Sequence, residues 1–187
     1  PSRPVVVVLG RQPPPETTGV FALKGFVDAA MSVDLPFDLI IVPVINPDGV
    51  ADGYWRTNAN GIDLNRDWAS RSQTELQSVW HYLEQRGAFA RDRLVMIDFH
   101  STRSDRIYRD RYSDGDWRGE LLDEWLQQLL PVEMDVRVTR SASGQSAKSV
   151  FGALGALAIT WESGDNTSPA DAEADGRAAL LSLLEAW

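Results

Sequence analysis

The sequence predicts an α/β fold, a three-layer sandwich in which a mixed, mostly parallel sheet lies between helices. Two patterns support this prediction. Short apolar runs rich in Val, Ile and Leu recur along the chain, which is typical of strands buried on both faces of a parallel sheet. Between these runs, apolar residues recur with i, i+3, i+4 spacing, which predicts helices that alternate with the strands. Because no repeat, low-complexity tract or internal linker interrupts the pattern, we expect residues 1–187 to form one domain.

The apolar runs predict five strands. The first is a continuous β-branched run that Gly10 ends, and the second is expected to be equally buried. The fourth is short, and the fifth is apolar until it ends in Trp-Glu. The predicted strands are residues 5–9, 37–45, 94–99, 136–139 and 156–161.

The helical spacing predicts four helices, at residues 17–31, 72–85, 116–130 and 171–186. For the second helix we predict Ser72 as the N-cap, with Glu75 three residues later completing a capping box. The third helix is expected to stop at Pro131, because proline lacks the amide that a helix interior needs.

Composition excludes several classes of protein. With 187 residues, 43% hydrophobic residues and seven Trp, the chain can bury a sizeable core. A net charge of −9 argues against a nucleic-acid partner, and the absence of cysteine excludes disulfides and thiolate sites. No run approaches 18 apolar residues, so no membrane span is predicted. The chain starts at Pro1 and enters a strand almost at once, so we expect it to be trimmed at its N-terminus. Compartment and oligomeric state stay open.

A polar loop, residues 43–68, follows the second predicted strand and is rich in Asn, Asp, Gly and Arg. Residues 46–49 (NPDG) predict a turn in which Gly49 is free to take a positive φ, and residues 58–61 (NANG) predict a second turn. Arg56 and Arg66 bracket that second turn, and two guanidinium groups could clamp a carboxylate or phosphate. The alternative is an ordinary solvated loop.

Six segments in one order carry a resemblance to a known family. They are GRQPPPE, NPDG, WRTN, GIDLNRDW, DFHST and TWESGDN, and they extend from Val5 to about Asn166. Together they closely resemble the zinc carboxypeptidases, the carboxypeptidase A-like metallopeptidases, as a bacterial-type member. The resemblance implies that family's catalytic-domain fold and zinc-dependent hydrolysis of a C-terminal peptide or amide bond.

Three polar groups follow predicted strands at the sheet edge where open α/β folds bind ligands: Glu16, His100 and Glu162. The resemblance implies that Glu16 and His100 bind one zinc ion. The first metal motif of the family is His-x-x-Glu, and here Pro13 stands in the place of the His. Taken alone, Glu16 could instead be a carboxylate favoured by the dipole of the following helix, and His100 a structural histidine.

The resemblance also implies roles for other polar residues. Glu162 matches the general base and acid, and Arg56 the residue that polarises the scissile carbonyl. Asn65 and Arg66 match the pair that binds the terminal carboxylate of the substrate. Counting back from Glu162 without gaps, Arg140 occupies the place of a substrate-contacting Tyr.

Asp63 matches a carboxylate that orients the histidine missing here. It could therefore approach the metal, directly or through water, or simply form an Asx-type turn.

Three functions stay open at this stage. The first is a zinc exopeptidase acting on a peptide or acylamino acid that carries a free carboxylate. The second is a metal-poor, inactive homologue that binds peptide C-termini or small carboxylates through Arg66 and Arg140, which the loss of a ligand at Pro13 favours. The third is an amidase or deacylase of related fold.

Overall fold

The structure, a computed structural model, describes residues 2–129, 134–139 and 144–187. Its centre is a six-stranded sheet with the strand order β2-β1-β3-β6-β4-β5. The β4–β6 pair is antiparallel and the other neighbouring pairs are parallel, so the predicted mixed, mostly parallel sheet is confirmed. The strands are β1 Val5–Gly10, β2 Asp38–Val42, β3 Leu94–Thr102, β4 Arg106–Arg109, β5 Asp135–Val138 and β6 Leu157–Gly164.

Helices cover both faces of this sheet, which confirms the predicted α/β sandwich. Side chains from α1, α4 and α6 pack on one face and side chains from α3 and α5 pack on the other. The helices are α1 Thr17–Ala30, α2 Pro47–Asp52, α3 Thr74–Gln85, α4 Trp117–Gln128, α5 Ala147–Ala153 and α6 Pro169–Ala186. Short 3₁₀ turns lie at Leu64–Arg66 and Ala88–Ala90. Among the described residues, no helix is both long enough and apolar enough to cross a membrane.

The alternation of side chains along β1 divides the core in two. Val6 and Val8 point into the core under α1, α4 and α6, whereas Val5, Val7 and Leu9 point into the core under α3 and α5. All five side chains are buried, as expected for a strand in the interior of a parallel sheet.

Helices α1 and α6 are in backbone contact on the first of these faces. A Cβ atom added to Gly25 would lie 1.9 Å from the carbonyl oxygen of Glu173. One added to Gly176 would lie 1.8 Å from the carbonyl oxygen of Ala22. The two glycines therefore permit an approach that no other residue would allow.

Two strand predictions need correction. The second strand is shorter than 37–45, lies at an edge of the sheet, and buries only Ile40 fully within β2. Strand β4 was not predicted, because the sequence Arg-Ile-Tyr-Arg contains two charged residues and no apolar run. It lies between β6 and β5 and pairs with both, and its Ile107 is buried in the core.

The predicted turn at residues 46–49 is wrong, because this segment begins helix α2. The side chain of Asn46 accepts a hydrogen bond from the amide of Gly49 at 3.0 Å, and Pro47 occupies the first helical turn. The positive φ falls instead at Gly53, the C-cap, with φ 73°. The second predicted turn is confirmed, with Gly61 at φ 75°.

The predicted capping box is also wrong. Helix α3 begins at Thr74, and Gln73 is its N-cap without a side-chain hydrogen bond. The hydroxyl of Ser72 donates instead to Asp67 at 2.9 Å, and the carboxylate of Glu75 accepts from Asn58 at 2.9 Å. Contacts with the preceding loop thus replace the local capping pattern.

Candidate active site

The register of the sheet places His100 and Glu162 side by side. In the parallel pair β3–β6, His100 lies opposite Glu162 and Asp98 lies opposite Thr160. Residues 98 and 100 share one face of β3 because side chains alternate along a strand. This face continues from Met96, which belongs to the core under α3 and α5.

Helix α1 supplies the third member of the cluster. Glu16 is its N-cap residue, and its Oε2 lies 2.7 Å from Nδ1 of His100. The backbone amide of Ser101 donates to the same oxygen at 3.2 Å. Gly19 keeps the helix close to β3, since an added Cβ would lie 2.3 Å from the carbonyl oxygen of His100. The structure therefore brings together Glu16 and His100, the two predicted metal ligands.

The imidazole of His100 lies between two carboxylates. Its Nε2 lies 2.7 Å from Oδ2 of Asp98, on the side opposite Glu16. Burial alone would lower the pKa of His100, but Asp98 and Glu16 together raise this pKa well above its usual value. Only 3% of His100 and 0% of Asp98 are exposed, so the contact between these two side chains is shielded from solvent.

Sequence reasoning missed Asp98 and two residues behind it. Gln12 donates from Nε2 to Oδ2 of Asp98 at 2.7 Å, and Trp68 donates from Nε1 to Oε1 of Gln12 at 2.6 Å. The period of two along β3 could have located Asp98, because it must share a face with His100. No local signal joins Gln12 to Trp68, which lie 56 residues apart.

Glu162 is a partly buried carboxylate, and its Oε2 is buried without a hydrogen-bond partner. Burial is the main reason that its pKa rises to about 7. The charge of His100 opposes this rise, Glu16 and Asp98 add to it, and Arg106 opposes it weakly. Arg106 lies opposite Glu162 in the β4–β6 pair and was missed because β4 was not predicted.

Arg56 lies in a cleft of about 280 Å³ whose walls include Pro13, Glu16 and Trp55. Its Nε donates to Oδ2 of Asp63 at 2.7 Å, while 47% of its side chain is exposed. The other oxygen of Asp63 accepts from the amide of Asn65 at 3.0 Å, so Asp63 forms the Asx-type turn that was one of its two expected roles. Trp55 is 82% exposed beside it.

Asn65 and Arg66, the predicted carboxylate clamp, lie on different sides of their 3₁₀ turn. Oδ1 of Asn65 accepts from the amide of Ala147 at 3.1 Å, and its Nδ2 lies 3.4 Å from Nε2 of His100. Arg66 is exposed and donates to the carbonyl of Asn65 at 2.7 Å. Arg140 lies outside the described residues. The substrate-binding roles of all three stay predictions.

The donor atoms near His100 fit a catalytic zinc site only in part. Glu16 and His100 offer one oxygen and one nitrogen, whereas catalytic zinc usually has three protein ligands. Pro13 offers no donor atom. Across residues 2–129, 134–139 and 144–187, no group of three or more His, Asp or Glu side chains is placed to hold one metal ion. The described donor set is therefore one ligand short.

A larger cavity, of about 500 Å³, lies between α2, the second turn and α3. It is lined by residues such as Ile45, Asp48 and Glu75, and it contains none of the predicted site residues. The smaller cleft is lined by Glu16 and Arg56, two of the predicted site residues, so it remains the better candidate for the active site.

Comparison with known proteins gives one family match over most of the chain. Residues 14–184 match the succinylglutamate desuccinylase/aspartoacylase catalytic domain. Cytosolic carboxypeptidase 2 of Xenopus tropicalis is 35% identical over 105 residues, which is 51% of this chain but 11% of that relative. The chain thus spans only about a tenth of the length of the curated relatives that it matches.

Solved structures share the fold. A metallo-carboxypeptidase from Burkholderia cenocepacia superposes with a TM-score of 0.82 at 20% identity, over 99% of this chain and 57% of that one. The murein-tripeptide amidase MpaA of Escherichia coli O157 gives a TM-score of 0.66 at 24% identity, over 100% of this chain and 82% of that one. These comparisons confirm the predicted resemblance to the zinc carboxypeptidases.

Proposed function

This chain belongs to the succinylglutamate desuccinylase/aspartoacylase catalytic-domain family, which is zinc carboxypeptidase-like, and on that premise we propose that it is a carboxypeptidase-type hydrolase. Its substrate in this proposal is a peptide or acylamino acid with a free carboxylate, cut at the C-terminal peptide or amide bond. Residues 1–187 form its single catalytic domain. The observation that carries the proposal is Glu162, a carboxylate with a pKa of about 7 beside His100.

Glu162 acts as the general base and then as the general acid. A carboxylate whose pKa is about 7 is partly ionised at neutral pH, so it can accept a proton from the attacking water and return it to the leaving amine. Its Oε2 has no partner that would compete for that proton. Burial, which raises this pKa, thus suits the residue to both steps.

The arginines bind the carbonyl and carboxylate groups of the substrate in this proposal. Arg56 polarises the scissile carbonyl, and its position in the cleft beside Glu16 supports this role. Asp63 binds Nε of Arg56, which leaves the two terminal nitrogens of the guanidinium for a ligand. Arg66 and Asn65, with Arg140, bind the terminal carboxylate in this proposal.

Zinc dependence is the second part of the proposal. Glu16 and His100 would hold the ion, which would supply Lewis-acid polarisation of water and carbonyl when bound. Nδ1 of His100, on β3, and Oε2 of Glu16, at the start of α1, lie 2.7 Å apart, so an ion held by both would replace their direct contact. Because Pro13 contributes no ligand, we expect binding weaker than at a site with three protein ligands.

The alternative is a metal-poor, inactive homologue that binds peptide C-termini or small carboxylates. It is favoured by one observation, the donor set of two around His100 with Pro13 in the place of the third. In that case Arg66 and Arg140 would bind the ligand without any subsequent hydrolysis.

Metal content and hydrolysis, measured on three versions of the chain, separate these functions. The native chain, Pro13→His and Glu162→Gln are dialysed against a weak chelator, analysed for zinc, and assayed on peptides with different C-terminal residues. About one zinc per native chain, with hydrolysis lost in Glu162→Gln, supports the zinc hydrolase. Zinc in Pro13→His alone supports the metal-poor homologue. No zinc in any version contradicts the placement of the metal at Glu16 and His100.

A further inference from the structure

We infer that Asp98, held in turn by Gln12 and Trp68, is the positioning residue that fixes the imidazole ring of His100 with Nδ1 towards Glu16. We call Asp98, Gln12 and Trp68 the support chain. The inference deepens the proposed function, in that it rests on His100 belonging to the site. It assigns a purpose to three buried polar residues that the proposed reaction does not otherwise use.

The direction of each hydrogen bond in the support chain follows from chemistry. An indole nitrogen can only donate, so the atom of Gln12 that faces Trp68 must be its oxygen. The amide nitrogen of Gln12 then faces Asp98 and donates to Oδ2. Oδ2 of Asp98 in turn lies 2.7 Å from Nε2 of His100. Trp68 thus fixes, through Gln12, the oxygen that faces Nε2 of His100.

Asn65 agrees with this assignment. Its Oδ1 accepts from the amide of Ala147, so its NH₂ group is the one that faces His100. This NH₂ group lies 3.4 Å from Nε2 of His100, which is long for a hydrogen bond, whereas Oδ2 of Asp98 lies 2.7 Å from the same nitrogen. Asp98 is therefore the partner of Nε2, and Nδ1 is the nitrogen left for Glu16.

Burial makes the support chain a strong constraint. Gln12, Trp68 and Asp98 are each 1% exposed or less, and His100 is 3% exposed. Water cannot replace a lost partner there, so rotation of the imidazole ring would leave charged and polar atoms unpaired. Trp68 is anchored independently, because its ring packs against Phe151 with centroids 5.6 Å apart. The support chain therefore connects the packed core under α3 and α5 to Nε2 of His100.

Imidazole N–H signals in nuclear magnetic resonance test the inference directly, because the chain has only two histidines. His81 is exposed on α3 and serves as an internal reference. We expect a slowly exchanging Nε2–H proton for His100 in the native chain and in Asp98→Asn, whose carbonyl oxygen can still accept. In Asp98→Val and Gln12→Met, exchange of this proton should be at least about tenfold faster, since one net hydrogen bond is worth about 1.4 kcal/mol.

Trp68→Phe, compared with Trp125→Phe, provides a matched control. Trp125 is also buried and also donates its indole N–H, at 2.9 Å to the carbonyl of Ala179, but it lies in the core on the other face. If exchange of the His100 proton is faster in Trp68→Phe but not in Trp125→Phe, the result supports the positioning role. If exchange changes equally in both variants, the cause is general destabilisation and the inference is overturned.

The inference and the proposed function fail separately. If the Nε2–H proton of His100 exchanges slowly in the native chain and faster in Gln12→Met, but no peptide is hydrolysed, only the hydrolase proposal fails. If peptides are hydrolysed and the His100 signal in Asp98→Val and Trp68→Phe matches that of the native chain, only the positioning role fails. Should Asp98→Val not fold, Gln12→Met and Trp68→Phe give the same decision.

Discussion

The two halves of the candidate site are held in different ways. One half is carried by strands: Asp98, His100 and Glu162 share a face of the sheet, and the first two are buried in a hydrogen-bonded network. The other half is carried by the loop, where Arg56 bonds to Asp63 while 47% of its side chain is exposed. The difference teaches that the strands hold Asp98 and His100 in a buried network, whereas the loop presents the arginine of the proposed site to solvent.

The largest expected effect on stability comes from breaking the strand half. Asp98→Ala leaves the imidazole of His100 and the amide of Gln12 without their buried partner, and we expect it to lower the free energy of unfolding by about 3–5 kcal/mol. Asp63→Ala breaks an ion pair of the same length in the loop half and should cost only about 1 kcal/mol. Urea denaturation of both variants measures the two costs. Equal losses would contradict the comparison.

A pH dependence is the next largest effect, and it belongs to Glu162. The pKa of this group is about 7 in the folded chain, whereas the ordinary pKa of an exposed glutamate carboxyl is 4.5. The folded state therefore binds the proton more tightly, and stability should fall as pH rises from about 4.5 to about 7. Glu162→Gln should remove this decline and raise stability at pH 8 by about 2 kcal/mol, after allowance for partial exposure.

Denaturation of the native chain and Glu162→Gln at pH 5 and pH 8 checks this expectation. Asp175→Asn is a useful companion, because burial, with Asp105 and Asp171 nearby, raises the pKa of Asp175 on α6 to about 6. A Glu162→Gln variant that is no more stable than the native chain at pH 8 would show that the Glu162 carboxylate is solvated.

Asn65 joins the two halves, and its removal should have an intermediate effect. Asn65→Ala leaves the amide of Ala147 at the start of α5 without its acceptor and should cost about 1–2 kcal/mol. Asn65→Asp keeps an acceptor at this position and should recover most of that loss. Thermal unfolding of the two variants tests whether the contact with Ala147 stabilises the fold. If Asn65→Ala is as stable as the native chain, Asn65 contributes no more to stability than the exposed residues of the loop.

The smallest effect on stability is expected at Arg56. Its ion pair with Asp63 is exposed, so Arg56→Ala should change the free energy of unfolding by no more than about 1 kcal/mol. The same variant should nevertheless slow peptide hydrolysis, because Arg56 polarises the scissile carbonyl in the proposed reaction, and a kinetic assay would measure this. A loss of stability as large as that of Asp98→Ala would show that Arg56 stabilises the fold as strongly as the strand half does, which would contradict the comparison.

The sequence was informative where chemistry is local. The Val-rich run predicted β1, and the segments around Glu16, His100 and Glu162 predicted which side chains meet at the sheet edge. It was misleading at Asn46, because Asn-Pro-Asp-Gly serves a turn and the first turn of a helix equally well.

The features that could not be predicted depend on contacts between residues that are distant in the sequence. Strand β4 has no apolar run of its own, so only its antiparallel pairing with β6 makes Arg106 a neighbour of Glu162. Gln12 has an ordinary polar side chain in a proline-rich stretch, and only the folded chain places it between Asp98 and Trp68. Burial, which gives Glu162 its pKa, is a property of the same long-range packing.

The contact between α1 and α6 at Gly25 and Gly176 has a consequence for biosynthesis. Glu16 stands at the start of α1, yet α1 is covered by a helix that the ribosome makes about 150 residues later. The nascent chain therefore carries an exposed apolar face on α1 until residues 169–186 have been made. Contacts this distant in sequence are slow to form, so we expect chaperones to bind this segment until α6 has left the ribosome.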